Sequence, residues 1–221
     1  MRVQAARQWA TTVDTRRRKV LLIAPSLLLP LPRASEAAKN ACDTSFVDAD
    51  ASKTSTYVDA ALGFQFDVPP RWTSVDRKGA DASFVDVAED GTTCRSRRAD
   101  VVVRPVRVKE TQELGNMEQI TQQLLQAEKE RRGDPSQPSP VLVRAQSESE
   151  TRENGTARLY YDVECQLPGA RGGPKRQWTR IVVDNGVLFT VTLAVPENNV
   201  QEMSGVAEAM REALRSFRVT K

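Results

Sequence analysis

The chain has no histidine, three cysteines and only 5% aromatic residues among its 221. Each scarcity closes a class of chemistry. Without histidine there is no Ser-His-Asp or Cys-His nucleophile pair and no His-bearing zinc site. Three cysteines cannot complete a four-thiolate zinc site. Neither glycine pattern that cradles phosphates, GxxxxGK[ST] or GxGxxG, occurs. The longest apolar stretch, residues 20–32, is interrupted by Pro25, Pro30 and Pro32. It falls short of the about 20 residues a membrane helix needs.

The formal charge of +3 is unevenly placed. Residues 1–37 hold seven of the 32 basic side chains and two of the 29 acidic ones, leaving 25 basic against 27 acidic. The later part is therefore slightly acidic, which removes the basic footprint that nucleic-acid binding requires. Arg16-Arg17-Arg18-Lys19, the apolar stretch and then Ser35-Glu36-Ala37 have the order of an export signal cleaved after Ala37. Arg17-Arg18 just before the apolar stretch looks like a twin-arginine signal, with an ordinary Sec signal or an N-terminal anchor as the competing reading. Arg2, Arg7 and the Ala and Thr residues of 1–15 fit a short plastid transit peptide, making 1–37 a two-part address to the thylakoid lumen. Residues 38–56, rich in Ala, Ser, Thr and Asp, are expected to be mobile.

In the stretch from Tyr57 to Trp72, Phe64, Phe66 and Val68 alternate with Gln65 and Asp67. That is the period of a strand with one apolar face, stopped by Pro69-Pro70. Further strands are expected over 81–87, 99–108, 141–153, 156–167, 175–183 and 187–195, with 89–98 as a polar turn and loop. Asn154-Gly155 and Asn185-Gly186 mark hairpin turns. Met117, Ile120, Leu124 and Ala127 predict a helix over 117–131. Val200, Met203, Val206, Ala207, Met210, Leu214 and Phe217 predict another over 197–216. The fold class is α+β, a central antiparallel sheet sandwiched between helices.

The opening stretch, with its Gly63-Phe64, strand and Pro69-Pro70-Arg71-Trp72, resembles the start of PsbP-family domains. So do Leu159-Tyr160-Tyr161-Asp162-Val163, the run Arg180 to Phe189, and the closing Ala213 to Val219. The resemblance covers about residues 55–220 and implies a PsbP-like domain over 57–221. It implies a non-enzymatic protein on the lumenal face of photosystem II or another thylakoid complex, peripheral to the membrane. It also implies an indirect link to the calcium and chloride of the oxygen-evolving cluster, with no cofactor bound tightly. The acidic, Ala/Ser/Thr-rich tail and Arg176-Gln177-Trp178, where relatives often carry histidine, favour a PsbP-like or PsbP-domain member over the main oxygen-evolving subunit. A subunit of the chloroplast NDH complex is the alternative within the family. A small-ligand carrier or enzyme using Tyr160, Asp162, Glu164 and Arg180 is the alternative outside it.

Two basic segments are the candidate docking residues: Arg95, Arg97 and Arg98, and Arg171, Lys175 and Arg176. Ordinary solvated turns are the competing reading; steering toward an acidic lumenal surface is the functional one. Glu148 and Glu150 share a strand face, as a carboxylate pair or as solvated surface. Cys94 and Cys165 are candidates for a disulfide in an oxidising compartment, against Cys165 as a small core hydrophobe.

Overall fold

The structure is a computed structural model describing Cys42 and residues 55–132, 136–170, 172–203 and 205–220. The leader and most of the 38–56 segment lie outside the described residues. Among the described residues ten strands form two antiparallel sheets. The small sheet has β2 (Phe64–Val68) at its centre, flanked by β1 (Ser55–Asp59) and β10 (Arg218–Val219). Phe64, Phe66 and Val68 are buried, as their alternation demands. Gly63 turns the chain into β2 at φ 79°, a conformation that favours glycine.

The large sheet contains β3 (Trp72–Ser74), β4 (Ala82–Val87), β5 (Thr93–Pro105), β6 (Val141–Thr151), β7 (Ala157–Leu167), β8 (Lys175–Asp184) and β9 (Val187–Pro196). Their spatial order is β3-β4-β5-β9-β8-β7-β6. Among residues 55–220 the described helices are α1 (Met117–Arg132), α2 (Glu197–Glu202) and α3 (Val206–Ser216), and a 3₁₀ turn covers Thr111–Leu114.

Alternation along the strands decides which helix covers which face. Trp178 and Val182 of β8 and Val191 and Leu193 of β9 pack with Phe64, Phe66, Met210, Leu214 and Phe217. The small sheet and α3 thus cover one face. Ile181 of β8 and Tyr161 of β7 point the other way and pack with Ile120, Met117 and Leu124 of α1. The result is the α+β helix–sheet–helix sandwich that the sequence predicts. Fully burying each of these large apolar side chains stabilises by roughly 1.5–3 kcal/mol.

The departures have local causes. The expected loop over 89–98 is a turn only as far as Thr92; residues 93–98 are the beginning of β5, which pairs with β4 through a register shift between Val85 and Asp86. Sequence shows a polar run there, and bulges in polar strands lack an alternating signature. The predicted 197–216 helix divides into α2 and α3. Met203 is extended and Gly205 caps α3 at φ 89°, in the left-handed region. At the β8–β9 turn, Asn185 and Gly186 both have positive φ, 49° and 81°, as a two-residue hairpin loop needs. At the β6–β7 turn only Gly155 does, at 78°, and Asn154 Oδ1 instead accepts from the Thr156 amide.

The disulfide joins Cys42 to Cys94, a separation of 52 residues, and Cys165 is a buried thiol outside that bond. The proposed Cys94–Cys165 pairing is thereby corrected, and the core reading of Cys165 holds. Cys165 lies on β7 opposite Leu142 and Gln177. Cys94 sits three strands away on β5, with β8 and β9 between them. In the chain-entropy description the Cys42–Cys94 link stabilises by about 4 kcal/mol. It ties the segment preceding β1 to the start of β5.

Candidate functional site

Strand alternation sorts the six candidate docking residues, because neighbours on a strand face opposite ways. Arg97 is fully buried. Its Nη1 donates to Asp86 Oδ2 at 2.8 Å and its Nε to Asn199 Oδ1 of α2 at 3.2 Å. Arg176 donates to both Glu197 oxygens, through Nε at 3.0 Å, and through Nη1 to Glu164 Oε1 at 2.8 Å. Arg97 and Arg176 are thus internal ties, which corrects their assignment as docking groups. Arg95 is exposed on β5, and Arg171 lies outside the described residues.

The partners of those two, Arg98 and Lys175, face the other side and come together. Arg98 and Gln177 both stand opposite Ala194, placing the three in a row across β5, β9 and β8. Lys175 is two residues from Gln177 on the same face. Arg77 reaches in from the loop between β3 and β4, and Arg131 from the end of α1. Together with Gln137, Leu167, Gly169 and Ala170 they line a cleft of about 550 Å³. Sequence reasoning missed Arg77 and Arg131. Arg77 beside Lys78 and Arg131 between Lys129 and Arg132 lie far along the chain from both candidate segments, and only the fold brings them to Arg98 and Lys175.

Within the cleft, Asp100 pairs with both Arg77 and Arg98, the latter at 3.1 Å, and Glu128 pairs with Arg131 at 2.6 Å. Glu128 also accepts from the Gln177 amide at 3.2 Å. Lys175 has no carboxylate partner among the described residues. Burial holds its pKa below the ordinary lysine value, and Arg98, Arg131 and Arg77 push it the same way. Burial likewise lowers Arg98, followed by Arg77, against the opposing pull of Asp100.

The opposite face is also charged, but closed. Arg180 is fully buried and grips Asp162 with Nε and Nη2 at 2.7 and 2.8 Å. Its Nη1 donates to the carbonyl oxygen of Arg215 at 3.0 Å, at the end of α3. Its guanidinium carbon stands 4.9 Å from the centre of the Tyr160 ring. Glu148 and Glu150 do share a strand face, but both are held. Glu148 bridges Arg180 and Arg218, and Glu150 accepts from Tyr160 Oη at 2.6 Å. Glu164 is held by Arg176 and by Arg211 of α3. The space beside Asp162 and Glu164 is about 20 Å³, room for roughly one water. Tyr160, Asp162, Glu164 and Arg180 are thus assembled, but around each other and α3. The carrier or enzyme reading finds no ligand-sized cleft there.

Among the described residues no group of three or more Cys, Asp or Glu side chains is arranged to hold a metal ion. No described helix is long and apolar enough to cross a membrane.

An antiparallel sheet between helices, with buried charges paired internally and a cationic cleft across its central strands, defines a β-rich scaffold. The chain belongs to the PsbP family, whose profile matches residues 52–219. It is 27% identical over 164 residues to PsbP domain-containing protein 2, chloroplastic, of Arabidopsis thaliana. That match covers 73% of this chain and 64% of the relative's length. The solution structure of cyanobacterial PsbP (CyanoP) from Synechocystis sp. PCC 6803 has the same fold. Its TM-score is 0.58 at 20% identity, covering 75% of this chain and 91% of that one.

Proposed function

We propose that this protein is a non-enzymatic, peripheral accessory or assembly factor of photosystem II, acting in the chloroplast thylakoid lumen. The observation that carries the reading is the PsbP family match, which runs through nearly every described element from β1 to β10. The two-part leader supports the compartment, and the chloroplastic relative supports the organelle. The way the buried charges are used supports a scaffold. Arg97, Arg158, Arg176 and Arg180 each hold carboxylates of the same domain. Arg95 and the cleft group Arg77, Arg98, Arg131 and Lys175 are among the cations that reach solvent and can face a partner. Charge steering through them speeds association and is screened by salt. Any part in retaining calcium or chloride is indirect on this reading, through the complex to which the protein docks.

The test is native-gel migration of the tagged full chain from gently solubilised thylakoids, with a salt wash before solubilisation in a parallel sample. The expected result is co-migration with a photosystem II complex or subcomplex, lost after the high-salt wash. Co-migration with a different thylakoid complex, such as NDH, overturns the assignment to photosystem II. Recovery of the tag in the stroma overturns the compartment.

A further inference from the structure

We infer that the cleft between β5, β8 and the end of α1 binds a small dianionic oxyanion, of the phosphate-monoester or dicarboxylate class. The inference stands apart from the proposed partner, because it holds or fails in the isolated protein.

Three features of the cleft point this way. The first is convergence. Arg77, Arg98, Arg131 and Lys175 come from four separate parts of the chain and line one space of about 550 Å³. Small-ligand sites run from about 300 to 1,000 Å³, and a halide fills only a small part of such a volume. Cations meeting around one concavity suit a compact ligand. An extended acidic chain calls for a strip of them instead.

The second is incomplete neutralisation. Among the described residues the four cations face two carboxylates, Asp100 and Glu128. Asp100 is divided between Arg77 and Arg98, and Lys175 has none. The excess of two positive charges is what a dianion compensates. Burial first, and then the neighbouring cations, lower the pKa of Lys175 and Arg98, in keeping with charge of one sign gathered in the cleft.

The third is donor chemistry. Asp100 engages Arg98 through Nε, and no bond from the terminal nitrogens of Arg98 to a described residue is seen. Arginine forks match the paired oxygens of phosphate and carboxylate, while lysine supplies a compact point charge. Gln177, whose side-chain nitrogen is already committed to Glu128 and Thr179, fixes the floor between them.

The experiment is isothermal titration calorimetry on the disulfide-bonded full chain at constant ionic strength. The probes are inorganic phosphate, glycerol 3-phosphate, malate, sodium chloride and a penta-glutamate peptide. Saturable 1:1 binding of at least one of the three oxyanions is expected, with chloride failing to compete. Arg98→Gln and Lys175→Gln should each weaken it by about tenfold or more, since hydrogen bonds to charged groups are worth that much. Circular dichroism of both variants should stay native, because both side chains reach solvent. Binding to wild type should fade as pH rises toward the ordinary lysine range, and Lys175→Arg should retain it there. The inference is overturned by no saturable oxyanion binding, by binding indifferent to both Gln variants, by equal displacement with chloride, or by binding of the peptide alone. Phosphate-only or malate-only binding each support it and name the ligand's chemical source.

Discussion

The two faces of the seven-stranded sheet carry the same kinds of side chain and treat them oppositely. Under α3, Arg180, Arg176, Arg158 and Arg211 are matched by Asp162, Glu164, Asp184 and Glu148 at hydrogen-bonding distance. Around the far end of α1, Arg77, Arg98, Arg131 and Lys175 crowd together with fewer carboxylates than cations. Removing a charge from water costs free energy, and a partner in the right geometry offsets it. The α3 face meets that condition within the domain. The α1 face meets it in part and keeps water in contact with the rest. A buried charge is structural where its partners are built in, and available where they are not. Arg97 beside Arg98, and Arg176 beside Lys175, show that one peptide bond separates the two outcomes.

The largest effect expected from this comparison is at Arg180. Replacing it with alanine leaves the Asp162 carboxylate buried without its bidentate partner and strips a donor from the last carbonyls of α3. Breaking one side of a buried pair costs about 3–5 kcal/mol. Arg180→Ala should therefore lower the urea midpoint sharply at an unchanged slope, and the full chain is at risk of not folding at 37 °C. A loss under about 1 kcal/mol would show that the α3 face does not depend on its pairing, and the contrast between faces would fail.

An intermediate effect is expected at Tyr160. Burial, followed by the hydrogen bond to Glu150, pushes its pKa up to about 12 from the usual 10. The folded pKa lies above the unfolded one, so the neutral phenol contributes stability that is complete below pH 10. That stability is lost as pH rises through about 12. Tyr160→Phe should cost about 1.5–3 kcal/mol at neutral pH, the worth of a hydrogen bond to a charged acceptor. The difference in ultraviolet absorbance between wild type and Tyr160→Phe should show a phenol titrating near pH 12. A midpoint near 10 would mean that water reaches the α3 face.

How far these faces were legible in the sequence differs by element. The strand periods of β2, β7, β8 and β9 are explicit in their residues, because apolar groups repeat at every second position. The stripe from Val200 to Phe217 shows equally clearly which side meets the core. The sandwich follows from those patterns. The sites do not. Tyr160, Asp162 and Glu164 read as a polar strand face, and such a face is ordinarily solvent. Here Arg176, Arg180 and Arg211 neutralise it, so that α3 can lie over it. The bulge that turns Arg97 inward leaves no periodic trace. Cys42 sits in a polar segment with no indication of what it meets. Arg77 and Arg131 are scattered basic residues until β5 and β8 are placed on either side of β9.

The smallest stability effect is expected at Lys175, and setting it against its β8 neighbour Arg176 is the sharpest test of the contrast. Arg176→Gln removes a guanidinium that holds Glu164 and Glu197, the latter anchoring the start of α2. It should destabilise by several kcal/mol, about 3 by the rule for breaking buried pairs. Lys175→Gln removes a cation that burial and three arginines already disfavour. It should change stability by no more than about 0.5 kcal/mol, the range for substitutions outside such ties, and any change should be a gain. The pH dependence separates it from an inert surface change. The folded pKa of Lys175 lies below the unfolded value of 10.5, so the unfolded chain holds the proton more tightly. Wild-type stability from this group should therefore increase as pH rises through the folded pKa toward 10.5, and Lys175→Gln should remove that increment. The wild-type-minus-variant difference in urea midpoint, followed from pH 7 to 10.5, measures it directly. A flat difference would mean that neither burial nor the three arginines act on Lys175, and the contrast between the two faces would lose its support at this position.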